Sequence, residues 1–478
     1  MANREETLAK NTVIFAIGNF ASKLIQVVLV PFYTRVLSSG EFGTIDLLQA
    51  IVALLHPLIS LSMQESVFRY AMEKDTDKSA VLSLGLSVTV LGTLIMCLGG
   101  GIVSIFIDPT FVWLVVANTA VNALWAVILQ YTKAIGKSGL YTINSAVATV
   151  FVLAFNVVFL VLLEMGIVGY MLGYICANLL AALILIFCLG KDFKVRFKPI
   201  TKTLVKQMLL FSMPLLLTGI CWWLSSCTDR VMIVAILGDE ENGLYAAASK
   251  IPHILSVIVT IFYQAWQVSA NQEFDKKDTS EFYSKTYEQN AAFTFILGSL
   301  MIVLCRPFSS VFLGAEFVSA WDLIPPLTIS VVFFSISQFL VSIYGANKKT
   351  GMAFVTNIVS TVINVGLNAL LIPCMGTMGA AIATAISYFV LWLVRVFDTR
   401  KVVKMQYNVP KTVAVILIIV AQSVFICLDL DIILTYALSA LGCVVIIALY
   451  WKTVWSLFKF CLSFVAKIFK KRKNGRGN

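Results

Sequence analysis

Thirty-six lysines and arginines give the 478-residue chain a net charge of +11, and a few of them stand where a basic side chain is costly. Lys23 lies roughly midway between Lys10 and Arg35, the first charged residues on either side, inside an otherwise apolar stretch. Lys250 sits about two turns inside a second such stretch. Arg35, Arg69 and Arg230 fall near the ends of apolar segments and could snorkel to a headgroup, whereas Lys23 could do so only at high cost. Together with Arg306, these are the six cations away from the basic loops and tails. Cations at several depths of a membrane protein suit an anion moving across it, so an acidic or phosphorylated cargo is expected.

Uncharged polar residues extend these positions into stripes. At 100° per residue, Asn19, Lys23 and Gln26 share one helical face, and Asp46, Gln49, His56, Ser60 and Gln64 share another within an arc of about 80°. Thr218, Trp222, Ser225 and Asp229 form a third face. Ser249, His253, Ser256, Thr260, Gln264 and Gln267 form the fourth. Serines and threonines alone would read as interhelical hydrogen-bond glue. Four coincident stripes that include Lys23 and Asp46 point instead to a hydrated cavity, because polar groups avoid the lipid-facing surface. Asp46 and Asp229 are the candidates for a coupling ion, a proton or sodium. His56 and His253 each neighbour a proline, Pro57 and Pro252, which suggests matched kinks.

Other chemistry is poorly supported. The stretch YTKAIGKSG resembles the tail of a phosphate-binding loop, but Tyr131 stands where the first glycine belongs, so it reads as a tight helix–helix turn. Neither a hydrolytic constellation nor a metal-ligand spacing is present, and the ten cysteines lie mostly in apolar segments. No catalytic residue, metal site or cofactor is expected. Basic loops against anionic lipid account for the net charge without a nucleic-acid partner.

The elements that position these residues are membrane helices. Hydrophobic residues make up 59% of the chain and charged ones 13%, about half the charged share of soluble domains. Apolar runs long enough to span a bilayer recur throughout. They predict an all-α polytopic protein with fourteen helices, at about 11–35, 44–70, 80–105, 111–132, 141–164, 168–190, 206–229, 243–270, 290–313, 321–345, 353–373, 377–397, 411–429 and 432–456. Lysine and arginine crowd alternate loops, while Asp108, Glu164, Asp239, Glu240, Glu241 and Glu316 occupy the others, which places both termini in the cytoplasm. The first segment is too long for a cleaved signal peptide and lacks its exit site.

An internal duplication organises the chain. VLSSGEFGTIDLL at 36–48 matches AILGDEENGLYAA at 235–247, with Gly43 and Gly243 in register, and Gln64 aligns with Gln264. Asn156 answers Asn368, and MGIVG at 165–169 answers MGTMG at 375–379. Six helices per repeat preserve orientation, so two parallel lobes are expected over 1–198 and 199–404, with 405–478 adding two helices and a basic tail.

The run LVPFYTRVLSSGEFG, the SVFRYA close of the second segment, and GKSG followed by an asparagine and MGIVG resemble the polysaccharide biosynthesis flippases (Wzx type) of the multidrug/oligosaccharidyl-lipid/polysaccharide exporter superfamily. The resemblance spans roughly residues 8–400. It implies a two-lobe transporter in a bacterial cell membrane that moves an undecaprenyl-diphosphate-linked oligosaccharide from the cytoplasmic to the outer leaflet by alternating access. Lys23, Arg35 and Lys250 would then hold the diphosphate, with Arg230 and Arg69 as further cavity cations. Membrane lipids and a polysaccharide polymerase machinery are the implied partners. The alternatives within the superfamily are a lipid II flippase and a cation-coupled multidrug exporter. The latter is disfavoured because Asn19 and Lys23 stand where such exporters place a carboxylate. A membrane-embedded glycan polymerase or ligase would need a larger outer loop than this chain offers.

Overall fold

The computed structural model describes residues 29–73, 76–195, 200–273, 279–347, 351–428 and 431–455. Among them every regular element is helical. Ten helices are long and apolar enough to cross a membrane, or eleven if a bent pair counts as one span. The protein is a multi-span membrane protein. Two compact units divide between Ala246 and Ala247.

The first unit begins with the helical end of the first predicted segment, α1 (29–36). Then come α2 (Ser39–Ser60), α3 (Met63–Ala71), α4 (Lys78–Val103), α5 (Pro109–Ala134), α6 (Ser138–Asn156), α7 (Gly166–Leu189) and α8 (Lys202–Leu237). The start of α9 (Asp239–Glu273) completes it. Helix starts follow the chemistry of their caps. Ser38 and Glu41 form a capping box at α2, and Asp77 and Asp108 cap α4 and α5 through backbone N–H groups.

The sequence predicts one helix over 44–70, and the structure breaks it into α2 and α3 at Leu61 and Ser62. Both adopt left-handed backbone, with φ of 45° and 52°. At the break the Leu61 amide donates to the Leu58 carbonyl at 3.4 Å and the Ser62 amide to the Pro57 carbonyl at 3.2 Å, which closes the end of α2. Met63, Val67, Leu82, Val127, Leu185 and Met208 then pack in one buried cluster that joins α3, α4, α5, α7 and α8.

The second unit carries the rest of α9, α10 (Thr279–Val303), α11 (Cys305–Phe312), α12 (Ile324–Ala346), α13 (Gly351–Thr399), α14 (Val409–Cys427) and α15 (Ile432–Leu449). α10 and α11 are bent by 68° at their junction. The two helices expected at 353–373 and 377–397 are the halves of α13, folded back on each other at Gly376. That residue has φ 60° and ψ −144°, a region open to glycine. Ser360 on one half donates to the Ser387 carbonyl on the other at 3.0 Å, and Asn364 to Thr384 at 3.2 Å. In the core of this unit Trp266 stacks on Phe339 with centroids 4.3 Å apart and donates to Ser342 at 2.7 Å.

Candidate functional site

The stripes on α2 and α8 become a seam in the first unit. The two helices run antiparallel, so contacts pair rising numbers on one with falling numbers on the other. Asp46 forms an ion pair with Arg230. The Trp223 indole donates to the Ala50 carbonyl at 2.6 Å, Pro57 lies beside Gly219, and beyond the break Ser66 on α3 donates to the Met208 carbonyl at 2.8 Å.

Asp46 keeps 10% of its side-chain exposure and Arg230 21%, so this pair is far drier than a surface salt bridge. Removing one partner of a buried pair leaves an uncompensated charge and costs about 3–5 kcal/mol. Parting the two helices here would therefore be costly unless both charges found new partners. Next to it Asp229 is buried and accepts a hydrogen bond from Tyr245 at 2.8 Å. Arg230 also reaches the Cys227 sulfur at 3.9 Å.

Where α2 meets the start of α9, backbone touches backbone. A Cβ on Gly43 would stand 1.8 Å from the Asp239 carbonyl oxygen, and one on Gly243 would stand 1.9 Å from that of Ser39. The Asn242 amide donates to the Gly43 carbonyl at 2.8 Å. Only glycine permits this approach. The two glycines that the internal duplication aligns are the two that meet.

The other predicted residues are distributed around this seam. Gln49 turns to α7, its amide 3.8 Å from the Met171 sulfur. Gln64 accepts from Ser60, which also donates to the His56 carbonyl. The buried Nε2 of His56 has no hydrogen-bond partner. Arg35 is exposed. Arg69 is exposed as well and pairs with Glu73 at 3.4 Å. In the second unit Lys250 is half-buried, and the exposed His253 has Ser256 at 3.0 Å from its Nδ1. Asn19, Lys23 and Gln26 lie outside the described residues, as do the side chains of Trp222, Gln264 and Gln267.

Sequence reasoning missed three participants. Trp223, not its stripe-facing neighbour Trp222, is the tryptophan with a described contact to α2. Asn242 lay unremarked in an acidic loop. Arg395, near the end of α13, reads from sequence as a loop-side cation but is fully buried. It donates to Thr356, Ser337, Gln338 and Asn357 over 2.9–3.2 Å. These neutral acceptors hold it as a structural cross-link between α12 and both halves of α13. The phosphate-loop lookalike is the α5–α6 turn, where Lys137 pairs with Asp192 at 2.6 Å.

Comparison with known proteins agrees with this architecture. The profile of the family described as "Polysaccharide biosynthesis protein" matches residues 8–267. An uncharacterized membrane protein of Methanocaldococcus jannaschii, MJ1375, is 23% identical over 428 residues, covering 83% of this chain and 99% of its own. The Lsg locus putative protein 1 of Haemophilus influenzae is 23% identical over 404 residues, covering 80% and 97%. Among solved structures, the lipid II flippase MurJ in an inward closed conformation aligns with a TM-score of 0.68 at 14% identity, over 92% of this chain and 99% of that one. An inward-facing multidrug resistance MATE family transporter of the MOP superfamily aligns at 0.61 and 15% identity, over 80% and 93%.

Proposed function

The chain belongs to the polysaccharide biosynthesis protein family, and on that premise we propose that it is a flippase for a polyprenyl-diphosphate-linked oligosaccharide. It carries this lipid from the cytoplasmic to the outer leaflet by alternating access. The observation that carries the reading is the locked seam of α2 with α8 and α9. It joins the equivalent leading helices of the two sequence repeats and holds charged groups away from lipid. By the charge bias of the loops, the Gly43–Gly243 end of the seam faces outward. On this reading the seam must part for cargo to leave on the outer side.

Roles divide accordingly. Lys23, Arg35 and Lys250 hold the diphosphate. Arg230, neutralised by Asp46, holds the seam rather than cargo, and Arg69 pairs with Glu73. An inside-negative potential favours export of the anion by about 2.3 kcal/mol per charge per 100 mV. A cation exporter would need a free carboxylate in the seam, and Asp46 is committed to Arg230 while Asp229 is held by Tyr245.

The test is a leaflet-resolved assay in proteoliposomes with undecaprenyl-diphosphate oligosaccharide. Transport by the wild type and its loss in Lys23→Ala support the reading. Transport of lipid II alone assigns the protein to peptidoglycan synthesis instead, and indifference to both lipids overturns the proposal.

A further inference from the structure

Of the six cations set apart from the basic loops, only Arg306 has no part in the flippase reading. It lies in α11, and by the charge bias of the loops this end of the second unit faces outward. Its guanidinium carbon stands 3.9 Å from the centre of the Trp321 ring, and its Nη2 donates to the Ile426 carbonyl at 3.2 Å. Trp321 precedes α12 and Ile426 belongs to the last turn of α14, so Arg306 bridges the outer ends of these two helices. One donor is thus spent on closing α14. The buried Nε has no hydrogen-bond partner. Among the described residues no carboxylate forms an ion pair with Arg306.

Below that bridge α12, the second half of α13 and α14 wall an apolar groove of about 530 Å³. Pro326 and Phe333 line it from α12, and the exposed Ile386, Val420 and Val424 leave it open to the bilayer. Its lining reaches Cys427, whose thiol donates at 3.6 Å to the carbonyl of Asp322, the residue after Trp321. Groove and cation therefore share their outer end. The first unit supplies a contrast. There α2, α4 and α5 wall a second apolar groove, of about 610 Å³, and its outer end carries Asp108 between the lining residues Ile107 and Phe111.

We propose that the α12–α14 groove binds an anionic glycerophospholipid of the outer leaflet, with an acyl chain in the groove and the phosphate on Arg306. Hydrocarbon chains enter any apolar groove open to the bilayer, so the chain alone selects nothing. Selection falls to the headgroup. The planar fork of a guanidinium matches phosphate oxygens, and hydrogen bonds between charged groups are about twice as strong as neutral ones. Trp321 suits the same level, since indole rings settle where headgroups meet hydrocarbon.

Charge decides which phosphate. The loops on this side are acidic, with Glu316, Asp322 and Asp431, and they repel a diphosphate more strongly than a phosphodiester of single charge. One guanidinium balances one such charge. The occupant is therefore a resident membrane phospholipid joining the outer ends of α12 and α14, and not the cargo. The inference holds whether or not the chain flips a glycan lipid.

The experiment places the full chain in phosphatidylcholine nanodiscs with a trace of photoreactive lipid that carries a diazirine in one acyl chain. Phosphatidylglycerol, phosphatidylcholine and diacylglycerol probes are compared, and mass spectrometry locates the labelled peptides. Phosphatidylglycerol is expected to label the α12 and α14 peptides about tenfold more than diacylglycerol, and more than phosphatidylcholine. On α2 and α4 the three probes are expected to label alike. Arg306→Gln removes the preference. Val420→Trp fills the groove and removes the labelling with Arg306 intact, and unchanged labelling of α2 and α4 shows that either variant is folded. Equal labelling of α12 and α14 by phosphatidylglycerol and either other probe overturns the proposal, as does a preference that survives Arg306→Gln. Displacement of the probe by undecaprenyl diphosphate at lower concentration than by unlabelled phosphatidylglycerol assigns the groove to cargo and overturns it too. None of these readouts requires transport, so they fail or succeed independently of the flippase assay.

Discussion

At the scale of single residues, the seam turns on one ion pair. Asp46 and Arg230 lie about two turns inside their helices and compensate each other away from water. Asp46→Asn leaves the guanidinium buried without its anion, and a loss of about 3–5 kcal/mol in stability is expected. Arg230→Gln exposes the mirror defect. The double variant recovers much of the loss, since a matched neutral pair strands no charge. Thermal or denaturant unfolding of the four proteins in one detergent gives the coupling energy directly, and strictly additive losses would show that the two charges do not act as a pair. Sequence alone put Asp46 on a polar stripe and Arg230 near the end of another apolar segment, beside the striped Asp229. It left open which residues pair, because a stripe specifies a face and not the neighbour across it. Arg230 thus reads from sequence as a cavity cation for cargo, and Gln49 as a neighbour of Asp46, although it reaches α7.

At the scale of elements, the glycine contact sets how closely α2 and α9 approach. Gly43→Ala places a methyl 1.8 Å from the Asp239 carbonyl oxygen, so backbone must move. The outward end of the seam is expected to part. Gly40→Ala, three residues earlier, meets nothing within 4 Å and is the matched control. Distances between spin labels at the exposed Val36 and Glu240 read both variants, and equal effects would remove the special role of Gly43. Helix positions were largely legible from hydropathy because twenty apolar residues in sequence have few other uses. The α2–α3 break was not, since left-handed backbone at Leu61 and Ser62 has no residue-type signature. The turn in α13 was better marked, by Pro373 and Gly376. The burial of Arg395 was hidden because its acceptors come from helices distant in sequence.

At the scale of the whole molecule, the family profile and the run of apolar helices make this a multi-span membrane protein of the polysaccharide biosynthesis family, and the proposal adds that its cargo is a lipid-linked glycan. Composition and loop charge made the class legible. The cargo was not, since any diphosphate-bearing lipid would present the same anion to the proposed cations Lys23, Arg35 and Lys250. The measurement that tests the account most directly is the rate at which undecaprenyl-diphosphate oligosaccharide reaches the outer leaflet of proteoliposomes holding an inside-negative potential. The account predicts transport that accelerates with potential and falls at least tenfold in Lys23→Ala. Equal rates in wild type, Lys23→Ala and protein-free vesicles would contradict it.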